Sequence, residues 1–157
     1  MILQELSLFC GSKAISGVGQ LNYAPIVDLE QPYVPTLDVN GGILFGPTFI
    51  TGNRWLVLPF VAAAEKLVSD GVGDNKFGVT HKQSITVTLP NMSSKAVYEL
   101  NKMKIVRDFV VKYQDKNGSW WLLGDTEFPC FFDYDKESSG RIKVTWTANN
   151  IRPILML

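Results

Sequence analysis

The sequence has few of the side chains on which most catalytic and metal sites depend. It contains one histidine and two cysteines in 157 residues. A Ser-His-Asp or Cys-His arrangement would have to use His81, which lies in a polar context where a surface histidine is the simpler interpretation. A zinc site needs three or four ligands, which His81, Cys10 and Cys130 are poorly placed to supply. We therefore predict no enzyme, no metal and no cofactor.

Charged residues are also scarce, at 19% of the chain, and the 15 basic residues balance the 15 acidic ones. No basic cluster stands out, so we expect no sequence-specific contact with nucleic acid, which needs Lys and Arg massed on one face. The low charge has two explanations. The chain is an ordinary well-packed domain, or other subunits cover much of its surface, because interface cores are depleted in charge.

Long hydrophobic runs are missing as well. No apolar stretch approaches the roughly 20 residues of a membrane-spanning helix. The first ten residues carry Glu5 and no positive charge, which is unlike a signal peptide. We expect no membrane partner and synthesis in the cytoplasm. The only close pair of carboxylates, Asp133 and Asp135, is interpreted as flanking a turn before Gly140 rather than as an acid–base pair.

The clearest structural pattern is a β-hairpin over residues 108–124. Two apolar-rich stretches flank Asp115-Lys-Asn-Gly118, a sequence typical of a tight turn. A three-residue loop with Gly118 left-handed places Tyr113 opposite Trp121 on one apolar face. A two-residue loop would mix polar with apolar side chains throughout. Because register follows the buried face, we predict the three-residue loop.

The surrounding region, residues 80–150, predicts an antiparallel sheet with one helix. Strands are expected at 84–89 and 141–147, because apolar and polar residues alternate there. A further strand is expected at 127–134, where Pro129 suggests an edge or a bulge. A short amphipathic helix is expected at about 95–103. We predict a single domain of residues 1–157 with a β-rich α+β fold. The sheet would form an antiparallel sandwich or a small barrel, with the helix flanking it.

The first half, residues 11–78, is less regular. Residues 11–40 have little periodicity, and the alternative to an irregular segment is a meander of short strands. Strands are expected at 43–50 and 54–61, and a flexible loop at 69–78. Irregular segments of this length are usually functional or ordered by a partner, so we expect this half to contribute subunit contacts. Four aromatic residues are the candidate interaction residues: Phe45, Phe49, Trp55 and Trp120.

The second half resembles small virion proteins of tailed bacteriophages. The resemblance is carried by the Thr-Leu-Pro strand end at 88–90, the helix at 95–103, the hairpin at 110–124, and the stretch 131–140 that leads into a final alternating strand. Tail tube and tail-completion proteins similarly combine a β-sandwich or barrel with one flanking helix and long loops. The resemblance covers residues 80–150 and implies no catalytic residues.

From the resemblance we expect a non-catalytic structural protein that self-assembles within a phage particle, as a tail tube or neck/tail-completion subunit. Its partners would be copies of itself, in a homo-oligomeric ring, and other virion proteins. The alternative is a binding module that uses exposed aromatic residues, Trp120 above all, to hold carbohydrate or peptide.

Overall fold

The computed structural model describes residues 3–4, 20–58, 67–75, 78–89, 93–115 and 117–157. The main element of the described chain is one antiparallel sheet with nine strands. In chain order the strands are β1 (Leu21–Pro25), β2 (Leu56–Val57), β3 (Leu67–Asn75), β4 (Gly78–Thr88), β5 (Asp108–Gln114), β6 (Trp120–Leu123), β7 (Cys130–Lys136), β8 (Ile142–Asn150) and β9 (Leu155–Met156). The one α-helix of the described residues, α1, spans Ser94–Val106.

The sheet curls into a half-barrel, in the order β2-β1-β5-β7-β8-β4-β3, with β6 pairing β5 and β9 pairing β6. The predicted β-rich α+β fold with one flanking helix is confirmed. Helix α1 packs Ala96, Leu100 and Met103 into the same core as the inward side chains of the strands. The helix therefore covers the inner face of the half-barrel.

Local signals fix the ends of α1. The side-chain oxygen of Ser93 accepts a hydrogen bond from the Ala96 amide (3.3 Å), which satisfies one of the free N–H groups at the helix start. At the other end Arg107 turns to a φ of 68° while its amide still donates to the Met103 carbonyl. The helix is longer than the predicted 95–103 by one residue at its start and three at its end.

The predicted hairpin register is confirmed. Tyr113 lies opposite Trp121 across β5 and β6, and Asp115 and Ser119 close the loop with a 2.9 Å backbone bond. Gly118 has a φ of 86°, which is the left-handed conformation that the three-residue loop requires. The Asp115 carboxylate accepts hydrogen bonds from the amides of Asn117 and Ser119 and holds the loop in place.

The centre of the core is aromatic. Trp146 is fully buried on β8, and its ring centre lies 5.2 Å from that of Phe132, 5.5 Å from that of Tyr23 and 6.5 Å from that of Phe109. Ile142, Val144 and Trp146 point inward as the alternation of residues 141–147 predicts. Burial of these rings joins β1, β5, β7 and β8 into one packed face.

The prediction of a flexible loop at 69–78 is wrong. Residues 67–75 form β3, which pairs with β4 along its whole length, from Leu67 opposite Thr86 to Asn75 opposite Gly78. Gly71, Gly73 and two aspartates give this stretch low intrinsic strand propensity, so the sequence alone favours a loop. The long neighbouring strand β4 supplies the pairing that the local sequence does not encode.

The other predictions for the first half are also corrected in part. Residues 43–50 are not a strand, because only Ile43 and Phe49 make isolated bridges there and Pro47 has no amide hydrogen to donate. Of the strand expected at 54–61, only Leu56–Val57 is paired, and 59–61 lie outside the described residues. Residues 21–25, expected to be irregular or a short strand, form the fully buried strand β1.

Candidate aromatic site and exposed apolar surface

The irregular segment 26–55 folds back onto the outer face of its own sheet. It places Leu29, Tyr33 and Ile43 against Val110 of β5 and Leu122 of β6. Ala24, Ile26, Phe49, Trp55 and Leu155 complete this second cluster. The β1-β5-β6 part of the sheet is therefore covered on both faces, by the main core on one side and by the 26–55 segment on the other.

Two of the candidate interaction residues, Trp55 and Trp120, meet at a lysine. The Lys112 Nζ lies 4.9 Å from the ring centre of Trp55 and 4.6 Å from that of Trp120. Phe49 packs edge-on against Trp55, with 5.4 Å between ring centres. All three aromatic residues are half-buried. Burial lowers the pKa of Lys112, while the two indole rings favour its charged form.

This arrangement corrects the expectation that Trp120 is an exposed aromatic residue. The ring is not free on an open face, because Lys112 packs against it and links it to the N-terminal segment through Trp55. The same lysine contributes to holding segment 26–55 on the sheet. The hairpin register places Lys112 and Trp120 on one face of the sheet, but the sequence gave no indication that Trp55 would join them.

Phe45, the fourth candidate, is set apart from these three. Its side chain is 71% exposed, and its carbonyl accepts a hydrogen bond from the Tyr33 hydroxyl (2.9 Å). Burial raises the pKa of Tyr33 to about 12, with a smaller contribution from the negative charge of Asp125, so the phenol remains a donor at neutral pH. The Tyr33 hydroxyl thus holds the backbone at Phe45, while the Phe45 ring is exposed to solvent.

Phe45 belongs to a group of exposed apolar residues, which we call the apolar surface: Leu37, Leu44, Phe45, Met156 and Leu157. Backbone contacts bring the two parts of the chain together here. The Ile43 amide donates to the Met156 carbonyl (2.7 Å), and a Cβ built at Gly46 would lie 3.6 Å from Leu157 Cδ1. At the turn beside them Val39 is fully exposed. Single exposed apolar residues are common, but neighbouring ones are typical of interaction sites.

Sequence reasoning missed the best-formed polar network of the described residues, which centres on Asp125. This carboxylate is fully buried and accepts hydrogen bonds from the amides of Glu127 (2.9 Å) and Phe128 (2.8 Å). Its other oxygen lies 3.2 Å from Arg152 Nη1 and 3.4 Å from Asn150 Nδ2. The network ties the loop after β6 to the end of β8. An aspartate that precedes a turn was the available signal.

The carboxylate pair that was interpreted as flanking a turn lies near the end of β7, before the turn that closes at Glu137 and Gly140. Asp133 faces Lys104 of α1 at 3.0 Å, and this exposed pair, mainly through its hydrogen bond, lowers the pKa of Asp133. His81 is half-exposed on β4 opposite Asn150. Cys130 is free and buried, while Cys10 lies outside the described residues. Nowhere in the described chain do three His, Cys, Asp or Glu side chains gather as metal ligands would.

Within the described residues, no helix has the length and apolar character needed to cross a membrane. Neither a protein-family model, nor a curated protein, nor a solved structure matches the chain.

Proposed function

We propose that the protein is a structural, non-catalytic subunit that assembles with copies of itself in a tailed-bacteriophage particle, as a tail tube or neck/tail-completion component. Its other partners are further virion proteins, and it is made in the host cytoplasm. The resemblance of residues 80–150 to small phage virion proteins supports this class of protein. The observation that carries the proposal is the apolar surface of Leu37, Leu44, Phe45, Met156 and Leu157.

The exposure of its apolar side chains makes this surface the best candidate for a contact between subunits. Leu44 and Phe45 are 52% and 71% exposed, although their neighbour Ile43 is buried. The segment that bears them is held in a defined conformation by the second cluster and by the Lys112 contact. A preorganised apolar surface loses little conformational entropy when it binds, which favours association.

A charge placed on this surface tests the proposal. Leu44→Glu should shift the protein to a lower mass in sedimentation velocity, because the carboxylate would be desolvated in the contact. The matched control is Ile105→Glu, since Ile105 is 68% exposed on α1 and lies outside the apolar surface. We expect this control to assemble like the wild type. Equal masses for wild type and Leu44→Glu, with both variants folded, would remove this surface as the assembly contact.

A further inference from the structure

One long edge of the sheet has no strand beside it in the described chain. Strand β3 ends the sheet order and is nine residues long, whereas β2 and β9, which end the other branches, have two residues each. Natural sheets protect long edges with prolines, lysines or bulges. β3 contains no proline and no basic residue, and its pairing with β4 runs without a bulge. This edge can therefore accept another strand.

The outer end of the β3-β4 hairpin has little support from the rest of the sheet. Pairing between β4 and β8 ends at His81, which lies opposite Asn150. Beyond it, residues 73–75 and 78–80 pair only with each other in the described chain. Val79 on this end is 49% exposed. A two-stranded ribbon is at best marginally stable in water, so a third strand beside β3 would stabilise it.

A second copy of β3 fits this edge, because the strand is complementary to itself. Residues at even positions of β3 share one face of the sheet, so a two-fold pairing that keeps both inner faces on one side sets even residues opposite even ones. When the pairing is centred on Gly71, all nine residues are matched. Asp70 then lies opposite the partner subunit's Val72, and Asp74 lies opposite the partner subunit's Val68.

The neighbouring registers are unfavourable because of charge. A pairing centred on Asp70 sets this residue against its own copy. A pairing centred on Val72 sets Asp70 against the partner subunit's Asp74. Like charges directly opposite each other destabilise a sheet. The two aspartates of β3 therefore favour the register centred on Gly71.

The same register supports the outer end of each hairpin. It sets residues 73–75 of one subunit beside residues 67–69 of the partner subunit, which pair with the part of β4 that β8 also pairs with. The support is reciprocal, because a two-fold axis applies it to both subunits. This match between an unsupported end and a supported one favours a second copy of the chain over a different protein.

We propose that β3 pairs antiparallel with β3 of a second copy of this chain, centred on Gly71, and joins the two sheets into one. Main-chain hydrogen bonds hold the contact together, and the aspartates set its register. The contact is separate from the apolar surface, and it does not depend on the class of phage protein proposed above.

Charge changes at Val72 test this register. Val72 is 66% exposed, so its replacement should leave the subunit folded. Val72→Asp places a carboxylate opposite the partner subunit's Asp70 twice in each two-fold contact, and should raise the dissociation constant of the dimer about tenfold. Asp70→Lys combined with Val72→Asp turns both like-charge pairs into opposite-charge pairs and should restore the dimer. Val27→Asp, at a 70% exposed position outside β3, is the matched control and should leave the dimer unchanged.

These changes are made in the Leu44→Glu chain, so that a charge on the apolar surface weakens the other contact. The mass is measured by sedimentation equilibrium over a concentration series, and we expect Leu44→Glu to approach twice the mass of one chain. Hydrogen exchange of the β3 amides should slow as the dimer forms. This second measurement needs no change in β3, so it tests the contact even if a variant of Val72 fails to fold.

Three outcomes would overturn the proposal. The first is that Leu44→Glu remains a monomer and the exchange of the β3 amides does not depend on concentration. The second is that the folded double variant dimerises no better than Val72→Asp, since the register would then be different. The third is that Val72→Asp and Val27→Asp weaken the dimer equally. If wild type and Leu44→Glu both form this dimer and nothing larger, the β3 contact is supported and the apolar surface is not.

Discussion

At the scale of single residues, burial decides what each charged group contributes. Asp125 and Asp133 each contact a basic side chain, at 3.2 Å and 3.0 Å. Asp125 is fully buried and accepts two backbone hydrogen bonds, whereas the Asp133 side chain is 68% exposed. Water already solvates the exposed pair, so breaking it changes little. Removing the buried carboxylate leaves several donors without a partner.

This contrast gives a matched pair of predictions. Asp125→Ala should lower the free energy of unfolding by at least about 2 kcal/mol, because the Glu127 and Phe128 amides and Arg152 lose their acceptor. Asp133→Ala should unfold close to the wild type. Urea titration of both variants measures the difference. Similar midpoints for the two variants would show that the Asp125 network does not hold the loop.

Cys130 predicts a pH dependence of stability. Burial, and to a lesser degree the Asp125 charge, raises the pKa of its thiol in the folded state. The unfolded thiol ionises near pH 8.5. The thiol therefore has a higher pKa in the folded state than in the unfolded state. Its contribution to the free energy of unfolding is complete below about pH 8.5 and declines as the pH rises above that value. Between pH 7 and pH 9.5 the wild type should lose about 1 kcal/mol more than Cys130→Ala in urea titrations. If the wild type and Cys130→Ala lose the same free energy of unfolding over this pH range, the thiol of Cys130 is not buried as the structure shows.

At the scale of elements, the sequence was most informative where one face of a strand is buried. Apolar residues at every second position fixed the hairpin register, since a shift of one residue would have turned Tyr113 and Trp121 away from each other. Strand β8 and helix α1 were predictable for the same reason. In each case the local pattern and the tertiary packing require the same residues to face inward.

The hairpin supports a second test of backbone conformation. Gly118→Val should cost at least about 1 kcal/mol, because a branched residue is strained at a φ of 86°. A Cβ at Gly118 would touch only Gln114 Nε2, at 3.7 Å, so the cost is conformational rather than a clash. Gly71→Val, at a position without positive φ, should retain wild-type stability. If both variants unfold at the same temperature, the left-handed loop is wrong.

Elsewhere the sequence could not have predicted the structure. Strand β3 depends on its pairing with β4 rather than on its own residues. The path of segment 26–55 depends on remote contacts, such as Tyr33 with Thr126 and Trp55 with Lys112, that leave no periodic pattern. The four candidate aromatic residues therefore lie in two different environments, which the sequence alone did not predict. Phe45 is exposed, whereas Phe49, Trp55 and Trp120 are half-buried.

At the scale of the whole molecule, the described chain is a half-barrel filled by α1 and the aromatic core, with the 26–55 segment as a partial second layer. Much of the apolar material that the sequence assigned to subunit contacts, such as Ile43 and Leu58, is buried in its own subunit. The proposal of self-assembly therefore depends on fewer residues than the sequence suggested. They are the exposed members of the apolar surface, among them Leu44 and Phe45.

The average mass of the wild-type protein across a concentration series, measured by sedimentation equilibrium, tests self-assembly most directly. A specific contact should raise the mass with concentration toward a fixed multiple of 17.5 kDa, which is the behaviour of a closed symmetric oligomer. Leu44→Glu should require higher concentrations to reach the same mass. A wild-type mass that remains at 17.5 kDa at the highest concentration would contradict the account of this protein as a self-assembling subunit.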